Sequence, residues 1–201
     1  KKLGQWGISN NNQVIVYDDA NGAFASRLWW LLRCLGHKSV AVLDGGIHHW
    51  QHPLTTILPK ITAKKFRPYI DHSFWLSAAQ INNHLASQTI RLIDARSAER
   101  FRGEQEPIDP IAGHIPHAIN RAFQLNLSYT GLFLQPDELK QQFSELLGRF
   151  TSAQTVHMCG SGVTACHNLL AMEYSGLLGS KLYAGSWSEW ITNKNHTIAT
   201  Q

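Results

Sequence analysis

Residues 147–190, LGRFTSAQTVHMCGSGVTACHNLLAMEYSGLLGSKLYAGSWSEW, contain the pattern that decides the fold. A β-branched run at 154–158 predicts a short strand, and apolar residues at helical spacing predict a helix over 165–174 after a loop of small residues. A glycine break follows, then a second short strand predicted at 181–183, a glycine turn and a tryptophan. This strand–helix–strand order predicts an α/β domain with a parallel sheet.

The same pattern occurs a second time near the start of the chain. Residues 3–50 read LGQWGISNNNQVIVYDDANGAFASRLWWLLRCLGHKSVAVLDGGIHHW. Trp50 follows Asp18 by 32 positions and Trp190 follows Cys159 by 31, so the two stretches keep nearly the same spacing. We interpret them as two copies of one duplicated unit.

The second copy has further predicted elements ahead of it, whereas the first has none. They are a short helix at 76–85, a strand at 89–93 and a helix at 136–147. If the copies match, about 70 residues precede Lys1 in the complete protein. A single domain with a divergent front end is the alternative. We predict three segments: the back half of one domain at 1–56, a linker at 57–72 and a complete domain at 73–201.

The composition suits a folded protein and argues against several classes of function. Hydrophobic residues make up 43% and charged residues 16%, which favours a packed core over disorder. No apolar run reaches the roughly 18 residues of a membrane span, and residues 1–13 lack the apolar core of a signal peptide. The formal charge of +4 mildly favours anionic partners. The densest basic stretch, residues 60–67, is short and typical of a solvated segment, so no nucleic acid partner is predicted.

Cysteine usage indicates a reducing compartment, and we expect a cytoplasmic location. The three cysteines, Cys34, Cys159 and Cys166, are too few for a disulfide scaffold and odd in number, so at least one thiol is free. Cys34 and Cys166 fall on predicted helices and are expected in the core, with a resolving role for Cys166 as the alternative. No Cys/His spacing resembles a zinc site, and neither a metal nor a cofactor is predicted.

The loop after the second predicted strand indicates anion chemistry at a thiol. Its residues are Cys159, Gly160, Ser161, Gly162, Val163 and Thr164. The glycines let successive N–H groups point at one spot, and the following helix adds its positive N-terminal end. Both features stabilise a thiolate, a bound anion or a charged persulfide. A merely packed cysteine, the alternative, needs no flexible loop after it. Cys159 is therefore the predicted nucleophile.

The first copy has Asp18 at the position of Cys159. The first copy therefore cannot perform thiolate chemistry, and we expect it to have a structural role or to form one wall of the active site.

Four stretches of the chain resemble the tandem-domain rhodaneses, the thiosulfate and 3-mercaptopyruvate sulfurtransferases. They are VYDDANGAFASRLWWLLRCLGHKSVAVLDGGIHHW (16–50), LIDARSAERFRGEQEPIDPIAGHIPHAIN (92–120), CGSGVTACHN (159–168) and LYAGSWSEW (182–190). The resemblance implies two rhodanese-like α/β domains with parallel sheets flanked by helices, the first incomplete and inactive. It also implies a ping-pong cycle, in which Cys159 takes sulfur from a small anionic donor and passes it to a thiol, a thioredoxin-like protein or cyanide.

The resemblance also bears on the donor. Relatives that prefer thiosulfate have basic residues at the two positions after the cysteine. Here these positions are Gly160 and Ser161, which resemble the loop of the mercaptopyruvate type. In such relatives the arginine matching Arg100 binds the donor, and a planar guanidinium suits a carboxylate. An exposed arginine at a helix end is the alternative.

The chain departs from the mercaptopyruvate pattern at three places. Ile108 stands where many relatives have a second donor-binding arginine, which leaves Arg121 as the candidate for that role. His117 replaces the family's glycine after HIP, a change that can reshape the turn. Ser161 matches the serine of a Ser–His–Asp set whose other members belong to the front of the first domain.

Several polar and aromatic residues near these motifs have two readings. Asp94 and Arg96 are expected to form an internal salt bridge, with lining of the site as the alternative. His114 is expected to hold a turn. Trp187 and Trp190 suit a pocket wall and core packing equally well.

A cysteine phosphatase and a non-enzymatic module are the alternatives to a sulfurtransferase. A cysteine phosphatase needs an arginine at the far end of the loop to clamp the phosphate, and residues 164–166 are Thr-Ala-Cys. A rhodanese-like sulfur carrier or protein-binding module with little turnover remains the alternative to an enzyme.

Overall fold

A computed structural model describes residues 1–200, which divide into two units between His72 and Ser73. Residues 1–200 form seven α-helices and seven β-strands. The helices are α1 (Lys2–Gln5), α2 (Ala25–Cys34), α3 (Ala78–Ala86), α4 (Ala98–Arg102), α5 (Pro136–Leu147), α6 (Ala165–Tyr174) and α7 (Ser186–Trp190). The strands are β1 (Val14–Val16), β2 (Val40–Val42), β3 (Trp75–Leu76), β4 (Arg91–Asp94), β5 (Ile119–Asn120), β6 (Thr155–Met158) and β7 (Lys181–Tyr183). Short 3-10 turns lie at Gly46–His49, His72–Phe74, Phe123–Asn126 and Ser152–Gln154. Over residues 1–200, every helix is too short or too polar to span a bilayer.

The first unit contains a parallel pair of strands, β1 and β2, with α2 as the crossover between them. Residues 51–71 have neither helix nor strand. They still make contacts within this unit, because the Lys64 N–H donates to the Gly4 carbonyl (2.9 Å) and the Tyr69 N–H donates to the Leu35 carbonyl (3.0 Å). Most of the segment predicted as a linker therefore lies against the first unit.

The second unit is built on a five-stranded parallel sheet in the order β3-β7-β6-β4-β5. The predicted class, α/β with parallel sheets flanked by helices, is confirmed. Side chains alternate between the two faces of the sheet. Val156 and Met158 pack with residues of α3 and α7, whereas His157 between them contacts Met172 of α6 on the other face.

The predicted bounds of α5, α6 and β7 match the structure, but the predicted helix at 76–85 begins too early. Trp75 and Leu76 form β3, and Ser77 is the N-cap of α3. The Ser77 side chain accepts the Gln80 N–H while the Gln80 side chain accepts the Ser77 N–H, which is a capping box. With Ser77 as the cap, the helix starts at Ala78, two residues later than predicted.

The sheet brings two strand ends together at its carboxyl edge. In the register of β4 and β6, Asp94 lies beside Met158, and the Ala95 N–H donates to the Met158 carbonyl (2.8 Å). Ligands of open parallel sheets bind at this edge. Cys159 is the first residue beyond it.

Candidate active site

The backbone around Cys159 is fastened to the start of α7. The Cys159 N–H donates to Ser186 Oγ (3.1 Å), and its carbonyl accepts the Trp187 N–H (3.0 Å). Gly162 is left-handed, with φ +75°, and a Cβ there would collide with the Ala184 carbonyl oxygen. Glycine is therefore required at this position of the loop. Cys159 itself is buried, with 2% of its surface exposed.

Several amides of the loop are available to an anion beside Cys159. Within residues 1–200, no hydrogen bond is donated by the backbone N–H groups of Ser161, Val163, Thr164 and Ala165. Ala165 is the first residue of α6, whose N-terminal end carries partial positive charge. Unbonded amides of a small-residue loop at a helix N-terminus are the groups that bind anions in proteins.

The loop after Asp18 in the first unit shows a cradle of such amides filled by a carboxylate. Asp18 Oδ1 accepts the N–H groups of Ala20 (2.9 Å) and Gly22 (2.8 Å), and Oδ2 accepts those of Phe24 and Ala25 (both 2.8 Å). Burial by itself would raise the pKa of Asp18, but these four donors hold it below its usual value.

The two loops have one left-handed residue at the same offset. Asn21, three residues after Asp18, has φ +53°, and Gly162 stands three residues after Cys159 with φ +75°. The loop after Asp18 is one residue longer before its helix and has a second left-handed residue, Gly22 (φ +89°), so the likeness of the two loops is limited to this residue and to their place between a strand and a helix.

We expect Asp18→Asn to destabilise the protein by about 1–2 kcal/mol at pH 7, because a neutral amide accepts fewer and weaker hydrogen bonds and the site is only partly buried. The folded pKa of Asp18 is lowered, so its stabilisation is complete above the unfolded value of about 3.9 and is lost as the pH falls through the folded value. Urea unfolding should therefore show a difference between variant and wild type that narrows below about pH 4. Asp19→Asn, at the exposed neighbour, is the control. Equal stabilities at pH 7 would contradict the cradle.

Arg100, at the C-terminal end of α4, lies against the Cys159 loop. Its two terminal nitrogens are 3.6 and 3.7 Å from the position that a Cβ on Gly160 would occupy. Nε and Nη2 contact the Glu106 carboxylate, the shortest distance being 2.6 Å, and Nη2 also lies 3.4 Å from Asp109 Oδ2. The side chain is 17% exposed. Arg100 is therefore held by two carboxylates with one nitrogen, Nη1, directed to neither.

Asp94 and Arg96 form the internal salt bridge that the sequence predicted. Arg96 Nη2 contacts Asp94 Oδ2 (2.7 Å) and donates to the Gly113 carbonyl (2.7 Å), and Nη1 contacts Glu106 (3.2 Å). Burial by itself would raise the pKa of Glu106, but hydrogen bonds from Arg100 and from backbone N–H groups hold it below its usual value. Glu106 is thus a charged bridge between Arg96 and Arg100.

Two residues that the sequence analysis did not single out complete the arrangement. Asp109 Oδ1 accepts the Ser188 hydroxyl (2.7 Å), and the Ser188 N–H donates to the Gly160 carbonyl (2.9 Å). Ser188 belongs to the LYAGSWSEW stretch and Asp109 to the EPIDP stretch, so both lie inside quoted motifs. Their place in those motifs was the only sequence signal that could have identified them. Their contact could not be inferred from the sequence, because 79 positions separate the two residues.

Arg121 lies in a buried polar network rather than with Arg100. Its Nη2 donates to Asn126 Oδ1 (3.1 Å) and Gln142 Oε1 (2.9 Å), and its guanidinium is 4.4 Å from the centre of the Phe143 ring. Burial lowers the pKa of Arg121 to about 10. Because its contacts are with this network, Arg121 does not join the donor-binding set that we propose below.

Ile108 and His117, which depart from the mercaptopyruvate pattern, and Ser161, which matches it, are on the surface or in turns. Ile108 is 75% exposed, and Ser161 is exposed within the loop. His117 has φ +66°, so it adopts the left-handed conformation that a glycine favours.

The remaining candidates are structural. Trp187 and Trp190 are fully buried in the core, and their indole nitrogens donate to backbone carbonyls. His114 is buried with Nδ1 2.8 Å from the Phe101 carbonyl oxygen, as expected of a residue that holds a turn. Cys34 and Cys166 are buried, as predicted, and neither is in a disulfide.

Comparison with known proteins places this site in a familiar context. The model of the family described as "Rhodanese-like domain" matches residues 1–53 and 77–193. The chain is 47% identical to a probable 3-mercaptopyruvate sulfurtransferase of Pseudomonas aeruginosa, over 99% of this chain and 72% of that protein. It is 35% identical to the thiosulfate sulfurtransferase of Gallus gallus, over 94% of this chain and 67% of the relative.

A solved structure agrees with these relatives. The 3-mercaptopyruvate sulfotransferase SseA from Escherichia coli superposes with a TM-score of 0.76 at 32% identity, covering 91% of this chain and 70% of that protein. The chain thus spans about two thirds to three quarters of the length of the relatives named here.

Proposed function

The chain belongs to the rhodanese-like family, and from this premise we propose that it transfers sulfur from 3-mercaptopyruvate through a Cys159 persulfide to a thiophilic acceptor such as cyanide or a thiol. The observation that carries the proposal is the set of available amides around a buried Cys159, with Arg100 lying over the same loop. The loop after Asp18 supports it, because there the amides of a loop between a strand and a helix stabilise a carboxylate.

In the first half-reaction, the Cys159 thiolate attacks the donor sulfur. The new S–S bond forms as the donor C–S bond breaks, and the electron pair passes to the carbon, which becomes pyruvate after it takes up the proton of the donor thiol. The products are Cys–S–S⁻ and pyruvate, so charge and atoms balance. Negative charge on the outer sulfur is stabilised by the amides of Ser161, Val163 and Thr164.

In the second half-reaction, the persulfide takes up a proton from water or from the acceptor thiol, and the acceptor attacks its outer sulfur. The S–S bond breaks, its electron pair returns to Cys159, and the thiolate is regenerated for another cycle. We propose a thiol, a thioredoxin-like protein or cyanide as the acceptor. We place the reaction in the cytoplasm, on the ground that all three cysteines are free thiols.

Arg100 is the proposed anchor for the donor carboxylate. Glu106 already binds Nε and Nη2, so Nη1 is the nitrogen that can meet a carboxylate near Gly160. The neutral loop residues Gly160 and Ser161 add no second positive charge, which suits a donor with one negative charge.

Donor preference tests the proposal directly. We expect kcat/KM for 3-mercaptopyruvate to exceed that for thiosulfate by about tenfold or more when both are measured at one acceptor concentration. A thiosulfate preference of similar size would overturn the assignment of the donor. Sulfur loading without turnover, seen as a stable mass increase of one sulfur atom, would indicate a sulfur carrier instead.

A further inference from the structure

The ion-pair cluster beside the Cys159 loop carries a net charge of one negative unit. Arg96 and Arg100 face three carboxylates in a chain of ion pairs with distances of 2.6–3.4 Å, the carboxylates being Asp94, Glu106 and Asp109. Asp94 and Glu106 compensate the two guanidiniums. Asp109 is therefore the surplus charge, and its side chain is 8% exposed, so water screens it little.

Asp109 is held close to the reactive loop. Its Oδ2 lies 3.9 Å from the position that a Cβ on Gly160 would occupy. The Ser188 hydroxyl lies within hydrogen-bond distance of both Asp109 Oδ1 (2.7 Å) and the Gly160 carbonyl (2.8 Å). Since the Ser188 N–H already bonds that carbonyl, the hydroxyl proton is available to the carboxylate. Asp109 thus has a fixed place over the residue next to Cys159.

We propose that Asp109 determines donor selectivity, because its carboxylate disfavours a donor with two negative charges relative to a donor with one. The inference rests on the proposed function and adds the residue that sets its substrate class. Arg100 Nη1 can donate a charged hydrogen bond to one anionic group of the donor. A second charge close to Gly160 meets the Asp109 carboxylate, and repulsion over several ångströms at a poorly screened site corresponds to roughly tenfold or more in relative rate.

Two donors separate charge from chemistry. Thiosulfate and methanethiosulfonate both release their terminal sulfur by breaking a bond to an oxidised sulfur, but the first is a dianion and the second a monoanion. Cys159 attack forms Cys–S–S⁻ in both cases, and the electron pair of the broken bond leaves on sulfite or on methanesulfinate. The ratio of their kcat/KM values therefore reports on how the site responds to the additional charge.

We expect Asp109→Asn to raise the ratio of kcat/KM for thiosulfate over methanethiosulfonate by about tenfold or more. The amide oxygen can still accept the Ser188 hydroxyl, and Glu106 still holds Arg100, so the geometry is retained. Asp109→Glu keeps the charge and should leave the ratio near the wild-type value. Asp137→Asn, at an exposed position on α5, is the matched control and should change nothing.

The outcomes separate this inference from the function on which it rests. A ratio that moves less than about twofold in Asp109→Asn, with activity retained, overturns the role of Asp109. If that variant fails to fold, Asp109→Ser removes the same charge and must raise the ratio. An unchanged ratio in Asp109→Ser also overturns the role of Asp109. A purely structural role would lower kcat/KM for both donors equally. If wild type loads sulfur from none of the donors, the proposed function fails instead.

Discussion

Cys159→Ser is expected to abolish sulfur loading, whereas Cys34→Ser and Cys166→Ser should leave it intact. A serine hydroxyl is not ionised near neutral pH, and it cannot form the S–S bond that holds the transferred sulfur atom. The other two thiols are buried on helices, and the Cys166 Sγ lies 3.4 Å from the Gly162 carbonyl, facing the backbone of the loop. The measurement is intact mass spectrometry after incubation with 3-mercaptopyruvate or thiosulfate.

The outcome that would contradict this prediction is a mass increase of one sulfur atom that persists in Cys159→Ser. Reduction with dithiothreitol should remove the added atom from wild type, which distinguishes a persulfide from an unrelated oxidation. If Cys166→Ser also lost the adduct while remaining folded, the thiol on α6 would be required for loading, a role that its burial does not suggest. A resolving role would instead make the adduct of Cys166→Ser longer-lived than that of wild type.

Arg100→Ala is expected to lower kcat/KM for 3-mercaptopyruvate roughly 10- to 150-fold. This range corresponds to the loss of one charged hydrogen bond of about 1.5–3 kcal/mol, at about 1.4 kcal/mol for each tenfold change. Arg100→Lys should recover only part of the loss, because an ammonium cannot hold Glu106 with two donors and still offer a third nitrogen to the donor. Steady-state kinetics at saturating acceptor provide the measurement.

Arg102→Ala is the matched control for this substitution. Arg102 lies on the same helix, is more exposed and pairs with Glu104 rather than with the cluster near Cys159. We expect its kcat/KM to stay within about twofold of wild type, since exposed ion pairs contribute little. A loss of less than about threefold in Arg100→Ala would show that the donor is anchored elsewhere.

The elements around Cys159 were predictable because their signals are local. Hydrophobic periodicity and small-residue loops depend on neighbouring residues, so the bounds of α5, α6 and β7 follow from the sequence alone. β3 and β5 have two residues each, too few to show a period. Their pairing partners, Leu182 for Trp75 and Ile93 for Ile119, lie far along the chain and make them strands.

The sequence by itself determined the fold class and the candidate nucleophile, because a strand, an amide-rich loop and a helix in immediate succession indicate both. The resemblance of four quoted motifs indicated the family. Only the tertiary structure decided which charged groups share the site. Arg121 and Arg100 were both candidates for the donor carboxylate, yet burial commits Arg121 to Asn126 and Gln142. Asp109 joins Ser188 across 79 positions, a contact that no local pattern encodes, because it depends on how parallel strands bring their carboxyl ends together.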